Sequence, residues 1–331
     1  MPGFPRLQES YDIVIVGGGH AGLQAGLKAA LLHLTAVVID RGPKYSRSYY
    51  SPRMDNIPGF PEGISGHTLL DRQITALRQH EDRVTYVTPA HATAARKVDS
   101  GYEVDFDWLK QPRKVRGKAL ILAPGVVDRI PVVEGKLEPI FPWANQGLVY
   151  FCEFCDGHEL PGKTVAVLGS TRYAADLALE LRHFRPASLE ILTHGEPFLG
   201  GLPLPERTEL EGQLRVAGIS WSEGVMVGFD GIREKRFTVK FADGSTRTFD
   251  RGFSGLGWFD MHGHLPQALG AAFDAEGYVQ TDEDCRVRSK EDGRPIPGLY
   301  CVGDLRSGWN QIPEAWATAE RAVIDVFAQS V

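Results

Sequence analysis

The sequence predicts an α/β chain carrying two nucleotide-binding βα turns. Three features predict it. An apolar run ends in Gly17-x-Gly19-x-x-Gly22, a second apolar run ends at Gly169, and 331 residues suffice for about two domains. The 37 glycines and the 43% apolar content suit a globular α/β chain with two cores. A net charge of −6 argues against nucleic acid as the main partner, and no apolar run reaches the length of a membrane span. The N-terminal stretch MPGFPRLQESYDIVIVGGG lacks the ordered charged, apolar and cleavage regions of a signal peptide. Four cysteines are too few for a disulfide scaffold. The chain therefore reads as cytosolic, and there a Cys-x-x-Cys pair is catalytic or metal-binding before it is structural.

The first turn is complete. YDIVIVGGGHAGLQAGLKAALLHLTAVVID reads as strand, tight turn, helix and strand. Ile13, Ile15 and Val16 lie in the near-continuous apolar run of a parallel strand buried on both faces. Gly17 allows the tight turn, Gly19 lets the backbone approach a pyrophosphate, and Gly22 packs helix against strand. Asp40 ends the second strand, about 20 residues on, where an acid hydrogen-bonds a ribose hydroxyl. His20, inside the motif, reads as a turn residue facing solvent or the sheet. Near the C-terminus, Leu299 to Val302 form a short apolar strand closed by Gly303-Asp304, and an amphipathic helix follows. An acid there can hold a ribityl or ribose hydroxyl.

These motifs carry a resemblance. GGGHAG, NIPGFPEGISG (56–66), KALILAPG (118–125), CEFCDG (152–157) and GLYCVGD (298–304) stand in the order seen in low-molecular-weight thioredoxin reductases. The resemblance covers nearly the whole chain. It implies two Rossmann-like three-layer domains, the second inserted into the first. It implies FAD at Gly17, Gly19, Gly22 and Asp40, with Gly125, Gly303 and Asp304 completing the site. Asn56 and Gln311 match family positions that lie against the isoalloxazine. On this basis residues 1–130 and 251–331 form the FAD domain, and 131–250 form the inserted domain with the dithiol. The crossings fall in PVVEG and FDRGFSGLGWFD. Homodimers are common in the family.

The stretch FCEFCDGHELPGK opens with Cys152-x-x-Cys155. At a helix start this pair lowers one thiol's pKa and closes a small disulfide ring. Half a zinc site is the structural alternative, since His158 extends the pair to C-x-x-C-x-x-H. Cys285 and Cys301 are isolated, however, so a second ligand pair is missing, and no metal is expected. A c-type haem requires His where Asp156 stands. By resemblance Cys155 faces the flavin, Cys152 attacks the partner's disulfide and Asp156 shuttles the proton. The alternative for Asp156 is an N-cap, and His158 reads as a surface or capping residue.

The second turn, TVAVLGSTRYAADLALEL, keeps Gly169 but has Thr171 at the close-approach position and Ala174 at the third. The next strand ends in Thr193-His194-Gly195-Glu196, where the family's NADPH enzymes carry arginines for the 2′-phosphate. Both halves of an NADPH site are thus expected to be missing. The closest reading is the ferredoxin-dependent flavin thioredoxin reductases, which act on thioredoxin-like proteins. The alternative is a flavin-dependent dithiol oxidase that acts on a small-molecule dithiol and uses oxygen. KYSRSYYSPRMDN (44–56) leans toward the oxidases, and Asp156 toward the reductases. An acidic ferredoxin would need a basic face, and Arg207, Arg215, Arg233, Lys235, Arg236 and Arg247 could supply it or be an ordinary solvated surface. Tyr45, Tyr49, Tyr50, Trp309 and Trp316 flank segments expected near the flavin, where they would stack on or shield its ring.

Overall fold

The computed structural model describes residues 6–257 and 263–330. Along the chain, β1 (Ser10–Val16), α1 (His20–Leu31) and β2 (Ala36–Ile39) are followed by α2 (Gly66–Arg78) and β3 (Val84–Val87). Then come β4 (Ala90–Val98), β5 (Gly101–Trp108), β6 (Gln111–Leu122), α3 (Phe141–Ala144), β7 (Val149–Tyr150) and α4 (Glu153–Asp156). The middle of the chain gives β8 (Thr164–Leu168), α5 (Arg172–Leu181), β9 (Ser188–Leu192), α6 (Leu204–Val216) and β10 (Ser220–Ser222). β11 (Met226–Asp230), β12 (Phe237–Phe241), β13 (Thr246–Phe249) and β14 (Arg251–Ser254) precede α7 (His264–Ala268), β15 (Arg286–Arg288), β16 (Pro295–Cys301) and α8 (Ile312–Ser330). Among the described residues no helix is long and apolar enough to cross a membrane.

The chain divides into two units. The first comprises Met1–Tyr49, His67–Val127 and Asp260–Val331. Its eight-stranded sheet runs β15-β16-β6-β1-β2-β3, with β5 joined to β6 and β4 to β5. The central strands are parallel and pair in register, Ile13 to Val16 of β1 against Ala36 to Ile39 of β2. Because β1 is buried on both faces, its side chains alternate between two cores: Ile13 and Ile15 face α1 and α8, while Val14 and Val16 face the residues of β5. Helix α1 meets the first core with Leu23 and with Ala21, Ala25 and Ala29, whose small side chains let it lie close to the sheet.

The second unit comprises Tyr50–Gly66 and Asp128–Phe259. Its five-stranded sheet, β10-β9-β8-β14-β7, is parallel throughout. Helices α5 and α6 cover one face, and the antiparallel sheet β11-β12-β13 with Trp143 covers the other. Both units are therefore three-layered, as the sequence implied.

Two expected boundaries move. Residues 251–254 were assigned to the FAD domain, but they form β14, which pairs with β8 from Val165 to Leu168 and with β7. Without β14 the strand β7 would have no partner in this sheet. The second difference is the segment 50–66, which groups with the dithiol unit. Tyr50 stacks on Phe141 at 4.8 Å, and Asp55 reaches His158 at 3.2 Å. Of the crossing expected in FDRGFSGLGWFD, residues 258–260 lie outside the described residues.

A buried carboxylate ties β4, β5 and β6 together. Glu103 on β5 accepts from Lys114 and Arg116 on β6, at 3.1 and 2.9 Å, and pairs with Arg96 on β4. The hydrogen bond from Lys114, reinforced by those from the two arginines, holds its carboxyl down to about 2, against an ordinary 4.5. A depressed carboxylate stabilises the fold above its unfolded pKa, and that contribution is lost as pH falls from about 4.5 toward 2. Glu103→Gln is expected to flatten the decline of melting temperature over that window. A decline as steep as the wild type's would show that the network carries no pH-dependent stability.

Candidate functional site

The first turn is built by three glycines with three different constraints. Gly17 has φ +104, and a Cβ there would lie 2.2 Å from the Ala123 oxygen. A Cβ at Gly22 would lie 1.8 Å from the oxygen of Gly17, so α1 can approach β1 only without a side chain at that position. Gly19 differs: an added Cβ would meet nothing closer than Ser46 Oγ, at 3.8 Å. It is the N-cap of α1, in extended conformation and with no side-chain cap. Gly19 thus leaves the first N–H groups of the helix without a capping side chain from the N-cap residue, and a helix N-terminus of that kind suits an anion. Gly18, which the motif leaves unspecified, is also constrained. Its N–H donates to Asp40 Oδ1 at 3.1 Å, and a Cβ would meet that carboxylate.

Asp40 is 6% exposed and also accepts from the Tyr86 hydroxyl at 2.6 Å, with burial driving the phenol's pKa upward. Asp304 stands in the turn after β16, and Gly303 brings that turn against α1: a Cβ at Gly303 would lie 2.9 Å from Ala21 Cβ. Asp304 accepts from Arg47 Nη1 at 3.0 Å. The indole N–H of Trp316 is buried without a partner beside His20. An open helix N-terminus between two carboxylates fits FAD: the N–H groups suit its diphosphate and the carboxylates its ribose and ribityl hydroxyls.

His20 does not face solvent. It is buried, with Nδ1 2.5 Å from Gln73 Oε1 and Nε2 2.7 Å from Ser48 Oγ. Burial pushes its pKa down, outweighing Gln73 and the charge of Asp304. Of the other expected flavin residues, Gly125 follows β6 at φ +68, and the N–H of Gln311 reaches the Trp309 oxygen just before α8. Asn56 lies on the 50–66 segment of the second unit. Among the aromatics, Tyr45 lies under Arg41, Tyr49 stands edge-on to His67 and Trp309 is 69% exposed.

The second turn repeats the first in backbone and departs from it in side chains. The Gly169 N–H reaches the Leu192 oxygen at 3.0 Å, as Gly17 reaches Ile39 at 2.9 Å. Thr171 is the N-cap of α5, extended like Gly19, so its branched side chain projects where Gly19 leaves open space. Ala174 carries a methyl where Gly22 has no room for one. Thr193, at the position of Asp40, is 2% exposed and turns its hydroxyl to the Glu196 oxygen at 2.6 Å. His194 is fully engaged. Its Nδ1 accepts from the Met226 N–H at 2.9 Å, and its Nε2 donates to the Val132 oxygen at 2.8 Å. Both ring nitrogens are thus taken up by backbone groups and are turned away from any phosphate. The Leu199 N–H closes on the Ser170 oxygen at 2.7 Å, drawing the loop after β9 over the turn.

The dithiol is closed as a disulfide between Cys152 and Cys155. Cys152 is the N-cap of α4, and its oxygen accepts from the Asp156 N–H at 3.0 Å. Asp156 makes no side-chain cap, so the capping alternative for it falls away. Phe154, between the cysteines, is 62% exposed. His158 is exposed, as expected, and Asp55 holds its Nε2 at 3.2 Å, while Glu159, at 3.9 Å from the same nitrogen, pairs with Arg251. Cys285 and Cys301 are buried, and burial pushes both thiols up, Cys285 to about 11. Neither forms a thiolate near neutral pH, which leaves the first pair for exchange.

Four of the six basic residues that could supply a docking face or be an ordinary solvated surface are paired with acids. Arg207 and Arg215 share Glu211, Arg236 holds Asp250, and Arg247 holds Glu190.

Known proteins resemble this chain along nearly its whole length. The family model for pyridine nucleotide-disulphide oxidoreductases matches residues 11–322. Thioredoxin reductase of Treponema pallidum is 24% identical over 301 residues, covering 91% of each chain. That of Aquifex aeolicus is 27% identical over 327 residues, covering 93% of this chain and 89% of its own. The crystal structure of thioredoxin reductase from Streptococcus pyogenes superposes with a TM-score of 0.78 at 20% identity, covering 98% of this chain and all of that one.

The contrast among the glycines gives a test of the turn. Gly19→Val is expected to leave the far-ultraviolet circular dichroism unchanged and to yield protein without bound flavin. Gly22→Val is expected to destabilise the fold itself. A Gly19→Val protein with full flavin absorbance would remove the ligand from this turn.

Proposed function

The chain belongs to the pyridine nucleotide-disulphide oxidoreductase family, and we propose that within it the protein takes electrons from a carrier other than a pyridine nucleotide. It is an FAD-dependent, thioredoxin reductase-like disulfide oxidoreductase. The observation that carries the proposal is Thr171, a branched side chain at the N-cap where the intact turn has Gly19. Thr193 and His194 support it, since Thr193 offers no acid for a ribose and both ring nitrogens of His194 are engaged by backbone rather than open to a 2′-phosphate. Each lost hydrogen bond to a charged phosphate costs roughly 1.5 to 3 kcal/mol, and 1.4 kcal/mol is about tenfold in affinity.

Bound FAD supplies the ability to collect single electrons and to release them in pairs. In this reading Cys155 faces the flavin and Cys152 faces the substrate. Reduction opens the Cys152–Cys155 bond, which takes up two electrons and two protons. Cys152 then attacks a disulfide of the partner, forming a mixed disulfide and releasing one thiol. Cys155 attacks that mixed disulfide, frees the second thiol and restores the starting bond. Asp156 takes up and returns the proton at the attacking sulfur. The donor is a low-potential carrier such as ferredoxin, and the acceptor a thioredoxin-like protein in the cytoplasm. From about −400 mV for a plant-type ferredoxin to about −270 mV for thioredoxin, the transfer of two electrons yields roughly 6 kcal/mol.

One observation favours the reverse flow. An acidic carrier needs a basic face, and most of the residues expected to form it are neutralised by neighbouring acids. A small-molecule dithiol would need no such face. It would be closed to a disulfide at the Cys152–Cys155 pair, its two electrons passing to oxygen.

Anaerobic stopped-flow separates the readings. Reduced ferredoxin is expected to bleach the flavin, and NADPH or NADH at millimolar concentration is not. Bleaching by micromolar NADPH would return the protein to the pyridine-nucleotide enzymes. Bleaching by a small dithiol alone, with reoxidation by oxygen, would select the oxidase. For the cysteine roles, Cys152→Ser is expected to leave a Cys155 thiolate with a long-wavelength absorbance band, and Cys155→Ser to give none. The opposite pattern would exchange the two assignments.

A further inference from the structure

We propose that Arg47 is the counter-ion for the flavin's diphosphate, carried to the first turn by the loop after β2 and aimed by Asp304. The inference rests on FAD as the ligand of this turn and is independent of which donor reduces it.

The charge balance of the turn favours such a group. Asp40 and Asp304 place two carboxylates at the site, and a diphosphate adds about two further negative charges. Helix α1 offers the N–H groups and partial positive charge of its N-terminus, but its first turn holds no basic side chain besides His20. His20 cannot serve: it is buried, and both ring nitrogens are engaged by the neutral Gln73 and Ser48. Arg41 and Lys44 lie over the ring of Tyr45, 4.2 and 5.2 Å from its centre.

Arg47 is placed differently. It is largely buried, 19% exposed at the side chain, and it donates to Asp304 Oδ2 at 3.0 Å. Its neighbours in sequence point to the same place: Ser46 Oγ is the nearest atom to the open space at Gly19, and Ser48 bonds His20 within the motif. A guanidinium presents five donors in a planar fork, so one nitrogen can hold Asp304 while another meets a phosphate oxygen. Asp304 then has two tasks, accepting a flavin hydroxyl and orienting the arginine.

Flavin release from the full-length holoprotein tests this, followed as the recovery of FAD fluorescence on dilution across a series of KCl concentrations. Arg47→Gln is expected to weaken FAD at least tenfold at low salt and to reduce the salt dependence of binding. Arg47→Lys should retain the salt dependence with a smaller loss of affinity. A structural role, in which the arginine merely neutralises Asp304, is separated by the Asp304→Asn background. There the loss caused by Arg47→Gln persists if the diphosphate is the partner and disappears if Asp304 is. Unchanged affinity in Arg47→Gln, or wild-type binding that does not respond to salt, overturns the proposal. A wild-type protein that holds no FAD overturns the flavin reading along with it.

Discussion

Helix α1 passes so close to the end of β1 that a methyl at Gly22 would lie 1.8 Å from the Gly17 oxygen. The rest of the first unit's turn depends on that approach. It aims the helix N-terminus, and with it the open space at Gly19, between the ends of β1 and β2. It sets the Gly18 N–H on Asp40, and it gives the turn bearing Asp304 a surface to rest on at Ala21. The binding surface is mostly backbone, which explains why the residues that create it are those with least to offer chemically.

The second unit uses the same scaffold with other side chains. Its Gly169 bonds the neighbouring strand as Gly17 does, yet Ala174 stands where the first turn has Gly22, and Thr171 caps α5 where the first turn has Gly19. The residues after β9 are turned inward as well, Thr193 to its own loop and His194 to Val132 and Met226. These are stabilising links: a buried hydroxyl and both nitrogens of a histidine are satisfied within the protein. In the proposed reading the turn keeps its structural duty without the exposed polar groups that nucleotide recognition requires. What the unit contributes instead is the disulfide at the start of α4, with Asp156 following it and the His158–Asp55 pair beside it in the chain's fold.

The parts of this arrangement that were legible in the sequence have local causes. The glycines of the first turn, Asp40 at a fixed distance and Cys152-x-x-Cys155 are each explained within about 20 residues of chain. Thr171 was legible for the same reason, since a branched residue at a close-approach position contradicts the turn around it. The missed features depend on partners far along the chain. Residues 251–254 look like the start of a returning domain until β8, more than 80 residues earlier, is seen to pair with them. His194 reads as a poor substitute for a cation, and only its bonds to Val132 and Met226, 62 and 32 positions away, show that both its ring nitrogens are held by backbone. Arg47 could not be told from its basic neighbours Arg41 and Lys44, because its partner is 257 residues distant. Composition likewise could not show that the inserted unit's arginines lie beside acids.

The account turns on whether the second nucleotide turn can hold a dinucleotide at all, and equilibrium binding answers that apart from any rate. Isothermal titration of the oxidised, full-length holoprotein with NADP+ is the direct measurement. The geometry at Thr171, Thr193 and His194 predicts no saturable heat at millimolar ligand. Saturable one-to-one binding in the micromolar range would contradict it.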